Sequence, residues 1–211
     1  MKSPTPNNPI SYLRTILILA LILICAALRL APHPWNFTPI GAMAIFAGAM
    51  VRNRPIAFLF PIVAMFATDL IIGFNTLSPL VYGSFALSVL ISRAIVGPRL
   101  NLAVSPVTSR PEHNEHPTPR WSAIPRVGAA TFLGSLQFFL VTNFGVWALL
   151  DSYPRTATGL AACYLAGLPL FLNTLAGDIT YTALLFGAFA LAEHLALGHV
   201  SSSYQAVKRE P

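Results

Sequence analysis

The stretch HPWNFTPIGA, His33 to Ala42, separates two runs of nearly continuous hydrocarbon. Pro32 and Pro34 stop the run before it, because proline lacks the amide N–H and its ring clashes with the preceding turn. Pro39 stands where a helix most readily takes a proline, in its first turn. The stretch reads as a polar turn between two membrane helices. Its ring, amide and hydroxyl groups raise a second question, whether the turn also lines a site.

The wider composition supports the membrane reading. Of 211 residues, 55% are hydrophobic and only 9% charged, against about a quarter charged in a soluble domain. Several apolar runs approach the roughly 20 residues that cross a bilayer as a helix. They are continuous rather than alternating, which argues against a β-barrel. The class is therefore all-α, a polytopic membrane helix bundle forming a single transmembrane domain over residues 1–211. The net charge of +6 comes from basic residues set singly between apolar runs, the pattern of membrane topology and not of nucleic-acid binding. Cys25 and Cys163 lie in apolar surroundings with no metal-ligand spacing and read as small buried hydrophobes. The first run follows Lys2 and Arg14 and ends in CAALRLAPHP without an A-x-A site, so it reads as a retained helix and not a cleaved signal.

Six crossings are expected, over about 11–30, 39–51, 55–73, 79–96, 124–149 and 172–197. The second is short for a full crossing, and the third carries Pro61, a candidate kink. The weaker apolar segment 156–171, with Pro169 near its end, reads either as a short partial, re-entrant or surface helix or as a seventh crossing. Arg52 and Arg54 follow the second run. Arg93, Arg99, Arg110, Arg120 and Arg126 surround the segment after the fourth, and Lys2, Arg14, Lys208 and Arg209 mark the ends. The positive-inside rule puts all of these in the cytoplasm, which six crossings with both termini inside satisfy. The proline-rich linker 100–122, containing SPVTSRPEHNEHPTPRW, reads as disordered. Its His113, Glu115 and His116 lack the preformed geometry of a metal site. No metal or cofactor is expected.

Under that topology four segments bring polar groups to the outer side. The turn at 31–38 carries Asn36 and Thr38, and Asp69 in ATDLIIGF lies about a turn from the outer end of its helix. Asp178 in NTLAGDITYT lies about a turn inside the same boundary, and Asn143 with Tyr153 and Arg155 completes the set. An ionised carboxylate facing lipid is costly, so both acids should face protein, water or a partner. Each either accepts hydrogen bonds from neighbouring helices, pairs with a loop arginine such as Arg155, or contacts a solute. Thr174, Asp178, Tyr181 and Thr182 share one helical face, which should turn away from lipid. Gln137 suits an interhelical hydrogen bond, and Ala44/Gly48, Ala130/Gly134 and Ala183/Gly187 permit close helix contacts. Trp35, Trp147 and Tyr153 suit either interfacial anchoring or ligand stacking. A faint echo, Asn-Phe followed some 33 to 35 residues later by an aspartate, occurs at Asn36 and Asp69 and again at Asn143 and Asp178. It would fit two related halves.

The stretches RLAPHPWNFTPIGAMAIFAG, FATDLIIGF and VTNFGVWALLDSYPRTATGLAACYLAGLPLFLNTLAGDITYTALLFG resemble an uncharacterised family of bacterial membrane proteins described as transport proteins. That family is similar in turn to the substrate-binding, or S, components of energy-coupling-factor (ECF) vitamin transporters. The resemblance covers nearly the whole chain outside the two tails and the linker. It implies six helices, a vitamin-like solute or metal ion bound near the outer face, and partners in the form of a transmembrane T component and an ATPase pair. The positions matching the family pattern are His33, Asn36, Thr38, Asp69, Asn143, Tyr153, Arg155, Asn173, Asp178 and Tyr181. Helix 1 departs from the S-component pattern in lacking an alanine at every fourth position. No G-x-x-x-x-G-K-[ST] loop occurs, so the chain does not energise transport as a P-loop ATPase.

The leading expectation is uptake of a small polar or vitamin-like solute across a bacterial inner membrane, without catalysis. Its outward-facing pocket would use Asn36, Thr38, Asp69, Asn143, Arg155, Asp178 and Tyr181. A structural or assembly protein would instead have a solid interior around the acids. An intramembrane enzyme would need Asp69 and Asp178 within hydrogen-bond reach as a dyad. G-x-S-x-G is absent, and AEHLALGH does not match H-E-x-x-H.

Overall fold

A computed structural model describes residues 9–32, 34–97 and 123–207. The expectations for His33, for the linker 100–122 with its His113, Glu115 and His116, and for Lys2, Arg99, Arg110, Arg120, Lys208 and Arg209 lie outside the described residues. Among the described residues six helices follow one another: α1 (Pro9–Leu28), α2 (Ile40–Met50), α3 (Arg54–Ile72), α4 (Ser78–Ile95), α5 (Ala123–Leu149) and α6 (Ala157–Val207). Four of them, α3, α4, α5 and the Ala157–Ala192 part of α6, are long and apolar enough to cross a membrane. The protein is a multi-pass, membrane-embedded helical bundle.

Its surface inverts the usual soluble pattern. On α3, Leu59, Val63, Phe66 and Leu70 face outward, at the i, i+4, i+7, i+11 spacing of one helical stripe. Serines and threonines turn inward instead: Ser84, Ser88 and Ser92 of α4 and Thr131 and Ser135 of α5 are all buried. Such a distribution suits hydrocarbon outside and hydrogen-bonded polar contacts between helices.

The bundle is organised around α2. All eleven of its residues are buried, and it touches each of the other five helices. A helix that is apolar all round belongs in an interior, and the sequence GAMAIFAGAM provides small residues for close approach. A Cβ on Gly48 would lie 2.7 Å from the Ser92 Cβ, and one on Gly134 3.2 Å from Ile45. Ser92 Oγ donates to the Ile45 carbonyl at 2.6 Å. At Gly187 the same construction meets open space, so only two of the three small-residue pairs lie at close contacts. An eleven-residue helix is about 17 Å long, roughly half of a 30 Å hydrocarbon core. One end of α2 therefore stops inside the bundle.

The segment expected as a separate short helix is not separate. Residues 157–171 are the first turns of the 51-residue α6, which runs straight through Pro169. Pro169 removes one backbone hydrogen bond but does not end the helix here, as bilayer helices with supporting neighbours allow. Pro61 likewise lies inside a continuous α3. The ends of α1 to α5 fall within about two residues of expectation, whereas α6 runs about ten residues past its expected end at 197. Asn53 caps α3 by accepting from the Ile56 N–H at 3.4 Å.

The two ends of the bundle differ in charge. At one end Arg93 donates to the carbonyls of Val51 and Arg52 at 2.8 and 3.1 Å, and Arg126 donates to Ile95 O at 2.7 Å. These arginines tie the α2–α3 turn, the end of α4 and the start of α5 together. At the other end lie the α1–α2 and α3–α4 turns and a cavity.

Candidate functional site

The cavity has a volume of about 210 Å3 and sits over the buried end of α2. Asn36 and Thr38 line it from the α1–α2 turn, and Gly73 and Asn75 from the α3–α4 turn. Gly41 and Ile45 of α2, Ser88 of α4 and Gly134 of α5 also line it, together with the side chains of Phe85 and Phe138. Those two rings stack with centroids 5.2 Å apart and 26° between their planes. Arg29, Asp69, Thr174 and Asp178 add charged and hydroxyl groups to the lining.

Asp69, 4% exposed, is held from two helices. Arg29, just past the end of α1, donates through Nη2 to Oδ1 at 2.7 Å, and the Tyr82 hydroxyl of α4 donates to Oδ2 at 2.6 Å. The second guanidinium nitrogen of Arg29 reaches the Thr68 hydroxyl and, at 3.4 Å, the Met65 carbonyl. One ion pair thus joins α1 to α3 beside the cavity. Gly73, which ends α3 with φ +104, takes a left-handed conformation that a side chain would strain.

Asp178, 5% exposed, does something different. Its Oδ2 accepts from Ser135 Oγ at 2.7 Å, and it accepts from the backbone N–H of Ala42. Pro39, at the N-cap position of α2, supplies no capping side chain. Asp178 of α6 takes that role from across the bundle, where a carboxylate also meets the positive end of the helix dipole. Gly41 makes the approach possible, since a Cβ there would lie 2.7 Å from the carboxyl carbon. The expected polar stripe on α6 does face inward, with Thr174, Asp178 and Thr182 all buried.

The opening turn is tied onto α6. Asn173 Nδ2 donates to the Trp35 carbonyl at 3.1 Å, and Phe37 packs on Tyr181 with ring centroids 5.6 Å apart. A Cβ on Gly177 would lie 3.2 Å from the Phe37 Cα. Asn36 takes φ +61, a left-handed turn that asparagine tolerates better than most residues. Among the described residues the side chains of Asn36 and Thr38 hydrogen-bond to no other group, so both have polar atoms to offer the cavity.

Of the seven expected site residues, Asn36, Thr38, Asp69 and Asp178 therefore meet at one cavity, and three lie elsewhere. Tyr181 braces the opening turn. Asn143 donates to the Phe139 carbonyl at 2.9 Å and packs against Gly167, where a Cβ would fall 3.0 Å from its Nδ2. Arg155 closes the α5–α6 turn, donating to Leu150 O at 2.8 Å, pairing with Asp151 at 3.6 Å and lying 6.0 Å from the Trp147 ring. Trp147 Nε1 in turn donates to Pro154 O at 2.9 Å. Gln137 makes the expected interhelical bonds, donating to Ser84 O at 2.8 Å and Ser88 Oγ at 2.9 Å.

Residues 10–201 match the model of one family. The chain belongs to DUF6580, a family of unknown function. No curated protein and no solved structure matches it.

Sequence reading of this DUF6580 chain missed Arg29, Tyr82, Ser135 and Gly41. One signal was available for Arg29: under the expected topology it stands at the outer end of the first helix, against the positive-inside pattern, so it needs a partner. The Ser84/Ser88/Ser92 spacing was also legible as an inward polar face. The contact of Asp178 with the start of α2 joins positions well over a hundred residues apart, and nothing local announces it. No hydrogen bond joins the Asp69 and Asp178 carboxyls, each of which has its own donors. Among the described residues no cluster of His, Cys, Asp and Glu is arranged to hold a metal.

Proposed function

We propose that this DUF6580 protein binds a small polar solute in the cavity over α2 and takes part in its uptake. The observation that carries this reading is the cavity itself, open beside two buried carboxylates, an aromatic wall and the unpartnered Asn36 and Thr38 side chains. The end of a helix stopping inside a membrane bundle is a recurrent place for transporters to bind solutes. At about 210 Å3 the cavity exceeds a 150 Å3 cavity that takes benzene and falls below the roughly 300–1,000 Å3 of drug-sized sites. A solute of one ring with polar substituents suits it.

In this reading the chain crosses a bacterial inner membrane six times, with both termini in the cytoplasm and the cavity facing out. The arginines at the opposite end support that orientation through the positive-inside rule. A working arrangement like that of ECF S components, with a T component and an ATPase pair, rests on the sequence resemblance alone.

Purification with native lipid, followed by mass spectrometry of retained small molecules, tests the reading. Wild type should retain a single-ring-sized species that Thr38→Trp, filling the mouth, releases without loss of folding. A structural role is the second reading, favoured because Asp69 and Asp178 both brace helix contacts. It predicts no retained solute and equal behaviour of the two proteins.

A further inference from the structure

The charge at the cavity selects among solutes, and the following step rests on the binding reading above. Two positive features line the cavity, the Arg29 guanidinium and the N-terminal end of α2. Either would ordinarily attract an anion. Each already faces a protein carboxylate: Asp69 accepts from Arg29 at 2.7 Å, and Asp178 accepts from the Ala42 N–H at the start of α2. An anionic solute would have to displace one of them and leave a buried carboxylate without its partner, which is strongly unfavourable.

The carboxylates themselves have capacity left. A carboxylate offers about four acceptor sites. Asp69 uses two, for Arg29 and Tyr82, and Asp178 uses two, for Ser135 and Ala42. Among the described residues two acids, Asp69 and Asp178, and one guanidinium, that of Arg29, line the cavity, so acidic side chains outnumber basic ones there. The face-stacked Phe85–Phe138 pair adds aromatic surface, which attracts cations and planar rings.

We infer that the cavity takes a planar, single-ring solute carrying a cationic or N–H-rich group directed at the Asp69 and Asp178 carboxylates, and that it rejects anions. Size, aromatic wall and charge agree on this class.

Benzamidinium, benzamide and benzoate share one ring and differ in charge by one unit each, so they isolate the charge preference. Binding is measured by titration calorimetry on the full chain in lipid–detergent micelles. Benzamidinium should bind at least about tenfold more tightly than benzamide, and benzoate should not compete. Asp178→Asn keeps an acceptor for Ser135 and Ala42 while removing the carboxylate, and should bring the benzamidinium-to-benzamide affinity ratio from about tenfold down towards one. Asp69→Asn removes the carboxylate partner of Arg29 and should let benzoate bind. Equal affinities, a preference for benzoate, or no binding by any probe overturns the assignment. An anionic solute retained from cells would overturn this class while leaving the uptake reading intact. Benzamidinium selectivity with no retained solute would do the reverse.

Discussion

Asp69 and Asp178 are buried to nearly the same extent at one cavity, yet they secure different parts of the bundle. Asp69 is an ion-pair partner: Arg29 brings the end of α1 to α3, and Tyr82 brings in α4. Asp178 is a helix cap supplied across the bundle, closing the start of α2 from α6 with support from Ser135. The Asp69 corner depends on full charge against full charge, and the Asp178 corner on close backbone approach at Gly41. The two corners should therefore fail in response to different kinds of change.

Removing one partner of a buried ion pair leaves an uncompensated charge, so Arg29→Ala should have the largest effect, about 3–5 kcal/mol. Equilibrium unfolding by SDS in mixed micelles reads this out. The double variant Arg29→Met/Asp69→Leu removes both charges and should recover most of the loss. No recovery would mean that Arg29 acts through packing alone. At the other corner, Gly41→Ala should cost about 2–3 kcal/mol, because the new methyl group displaces the Asp178 carboxyl from the start of α2. Wild-type stability for Gly41→Ala would break the capping account. Tyr82→Phe removes one hydrogen bond to a charged group and should cost about 1.5 kcal/mol. Arg155→Ala, altering an exposed pair in a turn distant from both corners, should stay within about 0.5 kcal/mol and leave solute retention unchanged. Altered retention there would extend the site to the α5–α6 turn.

The sequence carried most of the helical plan, because hydrophobic runs and prolines act locally. Pro39 opens α2, Asn53 and Pro55 open α3, and the ends of α4 and α5 fall where the apolar runs end. Pro169 misled, since proline breaks helices in water more reliably than in a supported membrane bundle. The candidate site was legible by half. Buried acids announce themselves through their cost in hydrocarbon, which singled out Asp69 and Asp178. Their partners required tertiary structure. Arg155 stood near the right boundary and looked available, but its own turn occupies it, whereas Arg29 lay unremarked at the end of α1. Asn143 and Tyr181 share the depth of the site without sharing its cavity, because depth along a helix does not specify the face.

The central claim is that the cavity end of the bundle opens outward and admits small molecules. Cysteine labelling with a membrane-impermeant maleimide tests it most directly, because Cys25 and Cys163 are both buried. Thr38→Cys reports the cavity mouth and Arg52→Cys the arginine-bearing end, where Arg52 is exposed. Intact cells should label Thr38→Cys and leave Arg52→Cys unlabelled until they are permeabilised. Labelling of Arg52→Cys alone in intact cells would contradict the account, since the cavity would then face the cytoplasm.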